Sequence, residues 1–248
     1  MTLILTARLA VLLWALTPSS VAAGLDPPFP AHRAEYLLTR DGLPVANIVM
    51  ELELLPDGGY RYRSTTLPHA ALALVGKALD LDAAARMTEE SSGQIVDGRF
   101  RPQRYLYRRV NEDSRVLSVT FDWTENRAAM DSEGKPWSME VPDGTLDKLV
   151  VLLALRQDLA SGIRAPVYSV ADGGRLKTYR FERKGDEEIV TPAGTWPTLQ
   201  VTRAKDDKSA DYRLWLSPNL HYLPVRVERE ELGSRFRMDL TLVEGLSD

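Results

Sequence analysis

The feature that most constrains this chain is its punctuation. Tight-turn pairs and triplets recur between short runs of alternating apolar and polar residues: Asp41-Gly42, Pro56-Asp57-Gly58-Gly59, Asp97-Gly98, Asp172-Gly173-Gly174, Lys184-Gly185-Asp186, Ala193-Gly194, Ser217-Pro218-Asn219 and Leu232-Gly233. Glycine at such positions supplies the positive φ that tight hairpins require, and Asp or Asn tolerates it. Between the turns the side-chain period is two. In 45–54, Ile48, Met50, Leu52 and Leu54 recur at period two, with Glu51 and Glu53 between the last three, the signature of a half-buried strand. The chain must therefore fold as a series of hairpins, with strands expected at 34–39, 45–54, 60–65, 80–91, 102–110, 115–123, about 126–131, 166–171, 175–183, 186–191, 197–204, 211–217, 222–230 and 234–243.

Two segments break the hairpin pattern. Residues 68–79 are rich in Ala and Leu after Pro68 and read as a short helix or apolar loop. Residues 146–160 carry a wide apolar stripe through Leu146, Leu149, Val150 and Leu153, with Asp143-Gly144-Thr145 before it and Gly162 after it. That is a helix, and one so apolar must pack against the sheet. No βαβ alternation and no Pro/Ser-rich linker occurs. The expected fold is mainly β: a strongly curved antiparallel sheet or half-open barrel packed on one apolar α-helix, in a single domain over 24–248.

Residues 1–23 have a different function. Arg8 precedes the apolar run Leu9–Leu16, Pro18-Ser19-Ser20 breaks it, and Val21 and Ala23 place small residues before Gly24. This reads as a cleaved signal peptide, and the run is shorter than the roughly 20 residues needed to span a bilayer. No other stretch approaches spanning length, so no stable membrane span is expected after cleavage, and the expected location is the periplasm. With no cysteine in the chain, neither a disulfide nor a lipid-modified N-terminal cysteine is available, and stability rests on packing. The formal charge of −4 speaks against a nucleic-acid partner.

Catalytic signatures are absent. Three histidines, His32, His69 and His221, stand far apart, and without cysteine the usual zinc spacings cannot form. No metal or other cofactor is expected. The acidic run 206–211 lacks the Gly and closing Glu of a calcium loop and reads as a solvated hairpin tip. There is no phosphate-binding loop and no Gly-x-Ser-x-Gly elbow. Asp122, beside Trp123 at the end of an apolar strand, is the candidate acid–base carboxylate, with Glu35 and Asp147 similarly close to apolar residues. The competing reading of Asp122 is a turn cap, with Trp123 filling core. The rings and apolar helix positions Trp123, Tyr105, Tyr107, Leu149, Leu153, Trp196 and Trp215 are candidate walls of a ligand cavity, or equally the filling of a closed core.

Several motifs carry a resemblance. The runs EIVTPAGTWPTLQV (188–201) and YRLWLSPNLHYLPVRVE (212–228), with FDW (121–123), RPQRY (101–105) and GTLD (144–147), resemble the exported proteobacterial family known as domain of unknown function 3108. That resemblance implies a compartment and a fold class, without an activity. Trp215, Leu223, Pro224, Arg226 and Gly233 are similar, at the level of fold, to the LolA/LolB-type periplasmic lipoprotein carriers. This second resemblance implies a half-open β-barrel that holds acyl chains. The expected partners are a lipid or other apolar envelope ligand, or an envelope protein that pairs with a sheet edge. The intact mass of the exported protein is expected to place its N-terminus at Gly24, and a mass that retains residues 1–23 contradicts the leader reading.

Overall fold

The computed structural model describes residues 27–69, 86–110, 114–132, 134–203 and 211–246. The leader, the apolar segment 70–85 and the acidic tip 204–210 lie outside the described residues. Fifteen strands run in chain order: β1 (His32–Arg40), β2 (Leu43–Leu54), β3 (Gly59–Pro68), β4 (Arg86–Val96), β5 (Arg99–Val110), β6 (Arg115–Asp122), β7 (Arg127–Ser132), β8 (Lys135–Glu140), β9 (Leu146–Asp147), β10 (Val167–Asp172), β11 (Arg175–Thr191), β12 (Gly194–Arg203), β13 (Asp211–Ser217), β14 (Leu223–Glu231) and β15 (Ser234–Glu244). The helix α1 (Val151–Ala160) lies between β9 and β10, and a 3-10 turn spans Pro218–Leu220.

The sheet order is β8-β7-β6-β5-β4-β3-β2-β1-β15-β14-β13-β12-β11-β10-β9. Two meanders are thus joined where β1 pairs with β15, Arg33 opposite Glu244 at one end and Arg40 opposite Phe236 at the other. The two outer strands, β8 and β9, are consecutive in the chain but share no ladder. The result is a half-open barrel with one seam. Every pairing is antiparallel except β9 with β10, where Leu146 and Asp147 lie beside Val170 and Ala171 in parallel. A parallel pair needs a crossover, and α1 supplies it.

The alternation read from the sequence sets the inner face. Met50 and Leu52 are buried while Glu51 and Glu53 carry the ion pairs Arg33–Glu51 and Arg61–Glu53 outside. Tyr36, Tyr60, Tyr62, Val119, Leu216 and Leu240 from five strands meet Val150, Leu153 and Leu155 in one core. Along β6, Val119 and Phe121 are buried while Val116, Thr120 and Asp122 face out.

The structure corrects several local expectations. The helix starts at Val151 rather than 146, because Leu146-Asp147 forms a strand and the Asp147 carboxylate accepts the N–H groups of Leu149 and Val150 (2.8 Å each), holding a turn before the helix. Lys184-Gly185-Asp186 is a β-bulge: β11 runs unbroken from Arg175 to Thr191 and its register with β12 shifts between Arg183 and Gly185. An additional strand, β8, follows Gly134. Leu223-Pro224, whose missing N–H suits the start of an edge or terminal strand, instead opens the interior strand β14, with Pro224 at the register shift against Trp215 and Leu216. Arg226 pairs with Asp239 on β15 (2.5 Å), while Glu228 is taken by Arg213 and Arg237.

Gly93 sits at the β4–β5 bulge, where an added Cβ would lie 2.1 Å from the Arg101 carbonyl oxygen. Backbone cannot retreat as a flexible side chain can, so Gly93→Ala is expected to lower stability by about 2 kcal/mol or more in urea unfolding. Gly42→Ala, strained only by its φ of +85° with no atom within 4 Å, is expected to lose about 1 kcal/mol. Equal losses at the two positions contradict the register at the bulge.

Candidate functional site

β8 and β9 share no ladder, and side chains of β9 and the following turn reach across the interior to β4 and β5. Asp147 is fully buried and reaches β4, where Ser91 donates its hydroxyl to Oδ2 (2.5 Å). The Tyr60 hydroxyl lies 3.1 Å from Ser91 Oγ. Burial pushes the Asp147 carboxyl up to about 6, against the hydrogen bonds from Ser91, Val150 and Leu149, which favour its ionised form. One residue on, Lys148 donates to Glu89 of β4 (3.2 Å), and Tyr105 donates to the other oxygen of Glu89 (2.7 Å). Lys148 also sits over the rings of Tyr105 and Tyr107, 5.6 and 5.1 Å from their centroids. Burial, then the charge of Glu89, raises Tyr105 and keeps it a hydrogen-bond donor.

These contacts border a pocket of about 210 Å³ at the seam. Tyr105 and Tyr107 of β5, Leu117 and Val119 of β6 and Met130 of β7 give it an apolar and aromatic wall, and Lys148 and Asp172 face that wall. Burial works to raise Asp172, but hydrogen bonds from Lys177 (2.7 Å) and Tyr179 (2.9 Å) outweigh it and hold the carboxyl below its usual range. Arg115 of β6 also lines the pocket, which therefore joins an apolar and aromatic surface to two cations, Arg115 and Lys148, and one ionised carboxylate, Asp172. Larger hollows of about 560 and 580 Å³ lie among hairpin-end residues such as Gly42 and Gly233, and on the outer face beside Trp137.

Of the seven cavity candidates, Tyr105 and Tyr107 line this pocket and the other five do not. Leu149 and Leu153 are buried in the core. Trp215 is buried with its indole N–H donated to Glu187, and Trp196 donates to Thr191 (3.1 Å). Trp123 stacks on Phe121 (5.3 Å between centroids) and donates to the Pro102 carbonyl (2.7 Å). Asp122 is exposed and accepts the N–H groups of Thr124 (2.9 Å) and Glu125 (3.1 Å), the bonding of a turn cap. It does not line the pocket. Among the described residues, no group of three or more His, Asp and Glu stands where it could hold a metal ion. Sequence reading missed Lys148 and Asp172, whose roles arise only when β9 and β10 come up against β4–β7.

A second buried polar group lies on α1. Arg156 is fully buried, donates Nε–H to the His221 carbonyl (3.1 Å) and Nη1–H to His32 Nε2 (2.8 Å), and packs on the Phe29 ring (4.2 Å). Arginine only donates, so His32 must accept at Nε2 and give its Nδ1–H to the Pro30 carbonyl (2.9 Å). Burial, then the Arg156 charge, lowers His32 to about 3, and burial lowers Arg156 to about 10.

A family model described as a protein of unknown function (DUF3108) matches residues 35–241. No curated protein matches the chain in sequence. Among solved structures, a β-barrel-like protein of the DUF1849 family from Brucella abortus superposes with a TM-score of 0.59 at 13% identity, covering 87% of this chain and 98% of the other. At that identity the likeness is one of fold. A proposed lipoprotein from Parabacteroides distasonis (TM-score 0.36, 10% identity, 88% and 97% coverage) and MucB (0.34, 12%, 87% and 53%) lie too far away to carry an argument.

Asp147 and His32 make opposite contributions to the pH dependence of folding. Asp147, raised from 3.8 to about 6, takes up a proton on folding between those values, so its contribution becomes more favourable as pH falls from 6 to 4. His32, lowered from 6.5 to about 3, binds its proton first in the unfolded chain, so its contribution is lost as pH falls from 6.5 towards 3. Asp147→Asn removes the first contribution alone. Urea unfolding is expected to show the stability difference between variant and parent moving in the variant's favour by up to about 3 kcal/mol from pH 4 to pH 7.5, at 1.4 kcal/mol per pKa unit, on top of a pH-independent loss from the altered hydrogen bonds. A constant difference across that range contradicts the raised carboxyl.

Proposed function

We propose that this chain, which belongs to the DUF3108 family of proteins of unknown function, is an exported, non-enzymatic protein that binds an apolar or amphiphilic molecule of the cell envelope at its open seam. The seam pocket carries the reading: its wall of Tyr105, Tyr107, Leu117, Val119 and Met130 faces Lys148 where the barrel has no ladder to break. A chain entering there displaces no backbone hydrogen bond of the sheet. The volume of about 210 Å³ is below the roughly 300–1,000 Å³ of sites that enclose a whole small molecule, so the pocket takes part of a ligand and the remainder lies along the seam.

The expected leader supports export, and among the described residues no helix is long and apolar enough to cross a membrane. A second reading, an interaction module, rests on β8, whose outer edge is unpaired and whose Trp137 is 43% exposed. Lys135 and Pro136 on that strand are devices that discourage strand addition, which favours the ligand reading.

Native mass spectrometry with organic extraction, on protein purified from the periplasm without detergent, tests the proposal. A stoichiometric adduct released by solvent is the expected result. A bare mass, together with no displacement of an apolar dye by fatty acids or phospholipids, overturns it.

A further inference from the structure

A second feature is linked to the seam pocket through the hydrogen bond from Tyr179 to Asp172. Five adjacent strands place Arg203 (β12), Tyr212 (β13), Arg229 (β14), Phe236 (β15) and Arg40 (β1) directly opposite one another, one row of cross-strand neighbours. Each lies in alternation with core residues of its strand, namely Val201, Leu214, Val225, Leu240 and Tyr36, so the row borders the concave face. Cations and rings alternate along it. The Arg203 guanidinium sits 4.4 Å from the Tyr212 ring and 4.4 Å from the Tyr179 ring. Arg229 lies 5.9 Å from Tyr212 and 4.9 Å from Phe236, and Arg40 lies 5.7 Å from Phe236. Tyr179 donates to Asp172, a wall residue of the pocket, which links the row to it.

A guanidinium stacked on a ring uses its flat face and keeps its in-plane N–H groups for an oxyanion, which they can grip in pairs. Arg229 pairs with Glu231 (2.7 Å), and Arg40 meets Ser234 (3.1 Å) and Asp41 (3.9 Å). Arg203 meets no carboxylate within salt-bridge distance among the described residues. Strands stand about 4.8 Å apart, so the three cations recur about every 10 Å with no acid in the row itself. Glu231 and Asp41 offset part of the charge of Arg229 and Arg40, so Arg203, stacked between two rings, is the cation of the row that most fully presents its N–H groups to an anion.

We propose that the Arg203–Arg229–Arg40 row is a head-group site for an anionic amphiphile whose tail enters the seam pocket. The inference rests on the ligand reading above and adds the charge class of the ligand. Carboxylate and phosphate heads share the required chemistry.

Isothermal titration of the mature protein with four probes, each below its micelle concentration, tests it: dodecyl phosphate, dodecanoate, dodecyltrimethylammonium and inorganic phosphate. Dodecyl phosphate or dodecanoate is expected to bind at least tenfold more tightly than dodecyltrimethylammonium, and the tighter of the two identifies the head. Arg203→Gln, checked for folding by near-UV circular dichroism, is expected to weaken that anionic probe about tenfold and flatten the salt dependence of its affinity. If the variant does not fold, the head-group preference of the unaltered protein decides. Equal affinity for the anionic and cationic dodecyl probes, or an unchanged affinity in folded Arg203→Gln, overturns the head-group site and leaves the seam pocket standing. No binding of any dodecyl probe overturns both. Inorganic phosphate binding as tightly as dodecyl phosphate makes the free anion the ligand and overturns the role of the tail.

Discussion

One buried carboxylate ties the open edge of the barrel across its interior. Fourteen of the junctions around a ring of fifteen strands are hydrogen-bonded ladders, and the one between β8 and β9 is not. Asp147, on the β9 side of that gap, takes two backbone N–H groups from the turn that leads into α1 and, across the interior, a hydroxyl from Ser91 on β4. An ionised carboxylate in the interior is unfavourable, and the three donors offset part of that cost while burial still pushes the carboxyl up to about 6. The same contact fixes Lys148 against Glu89 and over two tyrosine rings, and so sets the polar wall of the pocket.

The helix is anchored at a second point of opposite charge. Arg156 has no carboxylate partner, its Nη2 lacks a hydrogen bond among the described residues, and it relies on His221, His32 and the Phe29 ring. Its neighbour Asp158 binds Arg99 and Tyr168, and Gln157 reaches the Gly98 carbonyl (2.5 Å). The short helix is thereby tied by polar contacts to β1, β5, β10 and the β4–β5 turn. These directional bonds fix its position where apolar packing alone would allow sliding. Core side chains fill the helix side of the barrel, and the concave rim from Tyr179 to Arg40 carries the arginine row.

Most of the strands were legible because their determinants are local. Glycine at a tight turn and alternation along 45–54 depend on residues within a few positions of each other, and both survive in β2 and its hairpins. Bulges were not legible: Lys184-Gly185-Asp186 has the composition of a turn, and only the partner strand β12 forces the chain straight through it. The helix start was obscured because Leu146 continues the apolar stripe of 149–153 while its backbone is claimed by β10. The likeness of Tyr105 and Tyr107 to a cavity wall followed from their spacing. Lys148, Asp172 and the Arg203 row did not, since each gains its role from strands distant in the chain.

The buried latch has a direct spectroscopic signature. A pH titration of the Asp147 side-chain carboxyl by carbon-13 nuclear magnetic resonance is predicted to show its midpoint near 6. A midpoint between 3 and 4, the ordinary range of a solvated aspartate, contradicts a buried carboxylate tying β9 to β4.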